Sequence, residues 1–152
     1  MGVRCEMGKE VHFEDVDVGF EIPQFVKGPV TKEKIKDYAE AAGDPNPMHY
    51  DEDFAKMAGF QTVIAHGLMT MAFVSEMLTN WLPSYTQLKR LKTRFTKVVY
   101  PGNILTCKGK VTQKYVKEDG NYVELDVWAD NQDGETVAKG TATVVLPSRH
   151  KS

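Results

Sequence analysis

The stretch from Gly67 to Leu82 constrains the fold more than any other part of this 152-residue chain. It predicts a helix with apolar side chains on every side, and Pro83 ends it. A helix that is apolar nearly all round should be buried, so we expect it in the core. Polar residues, among them Glu76 and Asn80, interrupt the apolar run, which is also too short to span a bilayer.

The second half of the chain is predicted to form an antiparallel meander. Charged and apolar residues alternate from Arg90 to Phe95, as in a strand with one buried face. Further strands are predicted at 106–117, 122–129 and 136–146. Asp-Gly pairs between these runs are typical of hairpin turns. The apolar face of this sheet needs a cover, so the sequence predicts an α+β fold with the sheet wrapped around one long buried helix.

Two shorter helices are predicted ahead of the central one. Thr31 is a credible N-cap for a helix over 32–42, which Gly43 closes. A short helix over 51–58 stops at Gly59. The region 11–30 is predicted as strand and loop.

Length and charge exclude several classes of protein. We expect a single domain over 1–152, with flexible ends at about 1–10 and 148–152. Nineteen basic residues stand against twenty-one acidic ones, a balance that argues against a nucleic-acid partner. The first residues carry no apolar segment of the kind found in signal peptides, so we expect a cytoplasmic protein.

The loop between the first two predicted helices carries the residues suited to chemistry. Asp44 and His49 flank Pro45 and Pro47, and each proline fixes one backbone angle. A loop stiffened in this way can hold a carboxylate and an imidazole in a set relation. Such a pair can bind one water molecule and exchange protons with it near neutral pH.

This loop also resembles a known family. The resemblance is carried by Tyr38, by Gly43-Asp44-x-Asn46-Pro47-Met48-His49 and by Ala65-His66-Gly67. Together they resemble the MaoC-like (R)-specific enoyl-CoA hydratases, a family that includes 3-hydroxyacyl-acyl-carrier-protein dehydratases. The similarity covers about 31–75 and continues more loosely through Arg94-Phe95 and Tyr100-Pro101-Gly102. Met48 departs from the branched aliphatic residue that is usual there. The resemblance implies a hot-dog fold, in agreement with the wrapped helix.

Membership of this family implies an enzyme of fatty-acid metabolism. Its reaction is the reversible syn addition of water to a trans-2-enoyl thioester, which gives the (3R)-3-hydroxyacyl product and needs no cofactor. The resemblance assigns the acid–base pair to Asp44 and His49 without saying which is the acid and which the base. It assigns the oxyanion donor to the backbone N–H of Gly67. Gly67 should begin the buried helix, where free N–H groups favour an anion; a glycine chosen for packing is the simpler alternative.

Three further residues are expected to support the site. Asn46 orients Asp44 or the water, or else only forms the turn. Ser75 matches a serine that approaches the catalytic pair in some hydratases, or else bonds to the carbonyl four residues earlier. His66 is expected to hold the loop by hydrogen bonds. No metal site is expected, because no second histidine lies at helical spacing from His66.

A basic run follows the central helix. Its members are Lys89, Arg90, Lys92, Arg94 and Lys97. A solvated sheet face explains most of them, but one or two are expected to contact the phosphates of acyl-CoA or the acidic surface of an acyl carrier protein, with Arg90, Lys92 and Arg94 as the candidates.

We also expect a homodimer, because one hot-dog unit leaves a sheet edge open. A heterodimer, in which the second chain lacks the Asp–His loop, is the alternative to this homodimer. Two alternative functions are a hot-dog acyl thioesterase and a non-catalytic acyl-binding or assembly subunit. The loop counts against both: a thioesterase does not need it, and a binding subunit should have lost Asp44 or His49.

Overall fold

The structure, a computed structural model, describes residues 11–44, 46–84 and 87–149. Its helices are α1 (Lys32–Ala42), α2 (Glu52–Met57) and α3 (Gly67–Trp81). Its strands are β1 (Phe25–Lys27), β2 (Leu88–Phe95), β3 (Leu105–Lys117), β4 (Gly120–Asp130) and β5 (Thr136–Leu146). The expected flexible segments 1–10 and 150–152 lie outside the described residues. Within the described part of the C-terminal segment, Ser148 donates a hydrogen bond to Glu14, and Arg149 pairs with Asp15.

The predicted helices are confirmed, and their ends follow from capping residues. The hydroxyl of Thr31 accepts the N–H of Lys34 at 3.1 Å, which begins α1. Gly43 ends this helix with a φ of 66°, a left-handed conformation that glycine adopts without strain. The carboxylate of Asp51 accepts the N–H of Phe54 at 3.1 Å and begins α2.

The five strands form one antiparallel sheet in the order β1-β3-β4-β5-β2. The predicted meander is confirmed for β3, β4 and β5. It is wrong for β2, which pairs with β5 at the far edge, so that Phe95 lies opposite Ala138. The physical reason is the central helix: β2 follows α3 directly and lies on one side of it, and the chain then crosses to the other side to begin β3. The sheet thereby wraps α3 between its two edges.

Gly140 allows the sheet to close around the helix. It lies opposite Thr93 in the β2–β5 pair, and a Cβ at this position would collide with the carbonyl oxygen of Lys92. Any larger residue would push β2 away from β5. This close approach carries β2 toward α3.

The central helix is buried on most of its surface. Its buried residues are Met69, Thr70, Phe73, Val74, Met77 and Leu78. The expected burial of this helix in the core is confirmed, and one face stays open, where Leu68 is 62% exposed and Ala72 is also exposed. This face borders the edge strand β2, beyond which the sheet does not continue. Among the described helices, none is both long enough and apolar enough to cross a membrane.

Candidate active site

The loop after α1 positions Asp44 through main-chain hydrogen bonds. Oδ1 of Asp44 accepts the N–H of Asn46 at 3.0 Å, which leaves Oδ2 free to face the site. The side chain of Asn46 accepts the N–H of Met48 at 3.1 Å and caps a single 3-10 turn at Pro47–His49. Asn46 therefore forms the turn with its side chain and orients Asp44 with its backbone N–H. Both sequence alternatives for Asn46 have a counterpart in this arrangement.

His49 is buried and joins this loop to the segment that precedes α3. Its Nδ1 lies 2.7 Å from the carbonyl oxygen of Ile64, whose own N–H donates to the carbonyl of Met48 at 3.1 Å. A carbonyl only accepts, so Nδ1 carries the hydrogen, and Nε2 of the neutral ring keeps a lone pair. That Nε2 lies 3.8 Å from Oδ2 of Asp44. The two groups assigned to acid–base chemistry are therefore together.

His66 lies against His49 by stacking. The ring centroids of the two histidines are 3.5 Å apart with an interplanar angle of 23°, and Tyr38 packs against the His66 ring at a centroid distance of 4.8 Å. Nε2 of His66 lies 3.5 Å from Oδ2 of Asp44, so both imidazoles approach one carboxylate oxygen. Within the described residues, neither ring nitrogen of His66 has a hydrogen-bond partner. His66 thus meets the loop through its stacking on His49 and the approach of Nε2 to Asp44, and the expectation that it holds the loop by hydrogen bonds stays a prediction.

The surroundings of His66 disfavour its charged form. Burial lowers the pKa of His66, and His49 lowers it further, whereas Asp44 acts in the opposite direction. A neutral imidazole is consequently the form that fits this position.

Asp44, His49 and His66 offer three ligand atoms within 4.8 Å of one another. No metal site was expected, because no second histidine lies at helical spacing from His66. The fold nevertheless brings His49, which lies outside that spacing, next to His66. The stacking nonetheless opposes a shared ion, because a metal lies close to the plane of each imidazole that binds it. Two nearly parallel planes 3.5 Å apart give no such common position.

Gly67 is the first residue of α3, next to His66. The first N–H groups of a helix have no acceptor within it, and they lie at the positive end of the helix dipole. A Cβ on Gly67 would lie 2.6 Å from the ring of Phe95 on β2. The glycine thus has a packing reason, as in the simpler alternative, and its role as oxyanion donor stays a prediction. The resemblance included Phe95, but nothing in the local sequence pattern predicted its contact with Gly67.

Ser75 lies two helical turns further along α3, about 12 Å from Gly67 at 1.5 Å per residue. It lines a groove between α3 and β2 together with Tyr38, Met71 and Leu91. Among the described residues its hydroxyl reaches neither the catalytic pair nor the carbonyl of Met71. A supporting role for Ser75 stays a prediction.

The three basic residues that were expected to contact the substrate line two different grooves. Arg90 lines the groove between α3 and β2, whereas Lys92 and Arg94 line a separate groove on the outer face of the sheet. All three lie at alternate positions of one regular stretch of β2, and their contact with a substrate stays a prediction.

A helix wrapped by an antiparallel sheet, with an Asp–His pair beside its first turn, is the arrangement of a hot-dog protein. Residues 17–133 match the MaoC-like domain. The chain belongs to the MaoC-like family.

Individual relatives agree with this assignment. The chain is 39% identical over 95 residues to a probable enoyl-CoA hydratase 2 of Dictyostelium discoideum, a match over 57% of the chain and 32% of that relative. It is 34% identical to the 3-hydroxybutyryl-CoA dehydratase of Methylorubrum extorquens over 68% of the chain and 65% of that protein. The structure of (R)-hydratase PhaJ1 from Pseudomonas aeruginosa superimposes with a TM-score of 0.78 at 26% identity, over 92% of this chain and 88% of that one. The chain thus spans about a third of the amoebal relative.

The buried histidine makes stability depend on pH. The pKa of His66 is lowered on folding, so the unfolded chain binds a proton that the folded chain rejects. The free energy of unfolding should therefore fall as the pH drops below about 6.5, the ordinary pKa of histidine. A His66→Gln variant lacks this imidazole, so its free energy of unfolding should fall less as the pH is lowered. Urea unfolding of both proteins at pH 7.5 and 5.5 measures it, and equal losses in the two would contradict the assignment.

Proposed function

We propose that the chain is an (R)-specific hydro-lyase that adds water reversibly to trans-2-enoyl thioesters. The observation that carries this proposal is the pair of proton acceptors, Oδ2 of Asp44 and Nε2 of His49, 3.8 Å apart beside the first N–H of α3. Membership of the MaoC-like family and the named relatives support the same reaction.

The distance between the two acceptors suits a shared water. At 3.8 Å they are too far apart for a direct hydrogen bond, but one water can donate a hydrogen to each. The water oxygen then directs a lone pair away from the protein, toward a bound substrate. The side chain of Asp44 is 40% exposed and that of His49 only 9%, so substrate reaches the water from the side of Asp44.

Hydration then proceeds in balanced steps. The water oxygen bonds to C3 of the enoyl thioester, and the electron pair of the C2–C3 double bond moves to form an enolate on the thioester oxygen. One water proton passes to the Asp44–His49 pair, and the pair delivers a proton to C2 as the thioester carbonyl reforms. Because both groups lie on one side of the substrate, hydroxyl and hydrogen add to the same face. The reverse order of steps gives dehydration.

The enolate oxygen needs hydrogen-bond donors, and the start of α3 can provide one. The N–H of Gly67 has no acceptor within the helix, and the helix dipole favours negative charge there. A donor of this kind stabilises the transition state where the charge develops. The thioester carbonyl would therefore lie at Gly67, with C3 near the water.

The acyl group is carried by coenzyme A or by an acyl carrier protein, and the reaction fits fatty-acid metabolism. The relatives named for CoA substrates favour the first carrier. We also propose a cytoplasmic location for this activity.

We further propose a homodimer formed along β2. This edge strand has one side without a partner strand, and the groove beside it is lined by apolar residues of α3 and β2, among them Leu68, Met71 and Leu91. A second copy would cover these residues and continue the sheet. A different chain of the same fold in this position is the heterodimeric form.

Substitution of either Asp44 or His49 tests the proposed mechanism. Asp44→Asn and His49→Gln should each lower the rate of hydration by about 10²–10⁴-fold, because each removes one proton acceptor from the water. The assay is the loss of enoyl-thioester absorbance with crotonyl-CoA and a longer enoyl-CoA. Asp53→Asn, an exposed change on α2, is the matched control and should keep full activity. Near-normal turnover in either site variant would refute the role of that residue, and release of CoA without hydration would favour the thioesterase.

A pair of changes separates the two roles of Gly67. Gly67→Ala should lower kcat by about 10²-fold, because the added methyl group displaces the carbonyl. Phe95→Leu gives that methyl group more space. If Gly67 serves the oxyanion, the double variant stays slow although its melting temperature recovers. Recovery of both stability and kcat in the double variant would show that the glycine serves packing alone.

A single charged substitution tests the proposed dimer interface. Leu68→Asp should reduce the mass in solution from that of a dimer to the 17.1 kDa of one chain, because it places a carboxylate in the apolar groove. Val116→Asp on β3 is the control, since Val116 is 68% exposed and lies outside this groove. Light scattering after gel filtration measures both. A dimer that persists in Leu68→Asp would contradict this interface.

A further inference from the structure

The outer face of the sheet carries a groove of about 720 Å³ over the junction of β2 and β5. The strand register places Arg94 opposite Lys139, and Lys139 opposite Trp128 on β4. Residues directly opposite in an antiparallel pair share a face, so these three side chains form one row across the groove. A second row, from Lys92 through Thr141 to Asp126, lies beside it.

The groove carries more positive than negative charge, because the three cations Lys92, Arg94 and Lys139 line it beside one carboxylate, that of Asp126. Arg94 and Lys139 are like charges in directly opposite positions, which is unfavourable in a sheet. Within the described part of the chain, neither residue forms an ion pair, and Lys92 forms none either. Other lysines of the same sheet do so: Lys97 pairs with Glu135 and Lys108 with Asp130. An anion bound between the free cations would relieve their repulsion.

Trp128 adds an aromatic surface to the cations. Its ring is partly exposed at the groove, and among the described residues no lysine or arginine stacks on it. Aromatic rings of this kind stack on nucleobases, and arginine and lysine bind phosphate groups. Cations and one open indole ring therefore match a ligand that carries both phosphates and a flat base.

We propose that this groove binds a nucleoside phosphate, with its base on Trp128 and its phosphates at Lys92, Arg94 and Lys139. Two sources share this chemistry: a free nucleotide, and the phosphorylated adenosine end of a CoA thioester. The second source rests on the proposed function. None of the residues that form the groove belongs to the Asp44–His49 pair.

Fluorescence can test binding without any assay of catalysis. The chain has two tryptophans, so Trp81→Phe leaves Trp128 as the only reporter. Titration with adenosine 3′,5′-bisphosphate should quench it with saturation, and calorimetry on the unsubstituted protein should give the same affinity. Arg94→Ala combined with Lys139→Ala should weaken binding at least about tenfold. Lys56→Ala combined with Lys114→Ala removes the same charge from lysines that pair with Glu52 and Asp17, and should leave binding unchanged.

Absence of saturable binding at millimolar nucleotide would overturn the proposal, and so would equal affinity in the two double variants. Binding of inorganic pyrophosphate as tight as that of the nucleotide would also overturn it, because the indole would then contribute nothing. An acidic protein that bound this face while nucleotides did not would contradict it in the same way.

Two substrates distinguish the sources of the ligand. If the CoA end occupies the groove, the Arg94→Ala/Lys139→Ala variant should raise KM for crotonyl-CoA at least about fivefold, with kcat and the KM for crotonyl-pantetheine unchanged. If a free nucleotide is the ligand, ADP should bind without competition from CoA. The KM of the variant for crotonyl-CoA should then equal that of the unsubstituted protein. Either result supports the site and assigns its source. If hydration fails altogether, the proposed function fails, while the titrations still decide the groove.

Discussion

The hydrogen bond between His49 and the carbonyl of Ile64 is the interaction on which the site depends. At 2.7 Å it joins the loop after α1 to the segment that leads into α3. It also places the hydrogen on Nδ1, so that Nε2 is left as an acceptor toward Asp44. One bond therefore fixes the position and the tautomer of the imidazole. Without it, Asp44 would still lie on its own loop, but His49 would not be held beside it.

The wrapped helix explains why this bond can form. Burial of α3 under a five-stranded sheet holds its first turn in place, and the segment before it is secured by the bond from Ala65 to the carbonyl of Val99 at 2.8 Å. The catalytic loop then lies against a fixed helix start. His66 belongs to the same arrangement, because its ring fills the space between His49 and Tyr38 and brings a second imidazole to Asp44.

Local patterns in the sequence predicted those features of the fold that depend on residues close together in the chain. Capping residues gave the ends of α1 and α2, and apolar residues on every side gave the central helix. The place of β2, the stacking of His66 on His49 and the contact of Phe95 with Gly67 depend on pairing between distant segments, which periodicity does not encode. The basic run is the converse case, because alternation along β2 places Arg90, Lys92 and Arg94 on one face of the strand, and the irregularity between Leu88 and Arg90 lies ahead of all three.

The central claim is that one water, held by Asp44 and His49, adds to one face of the enoyl thioester. Hydration of crotonyl-CoA in D₂O tests it most directly, with the product analysed by NMR and chiral chromatography. The account predicts the (3R) alcohol with a single deuterium at C2, on the same face as the new hydroxyl. Deuterium on the opposite face, or a mixture of both, would contradict a proton donor and a water held on one side of the substrate.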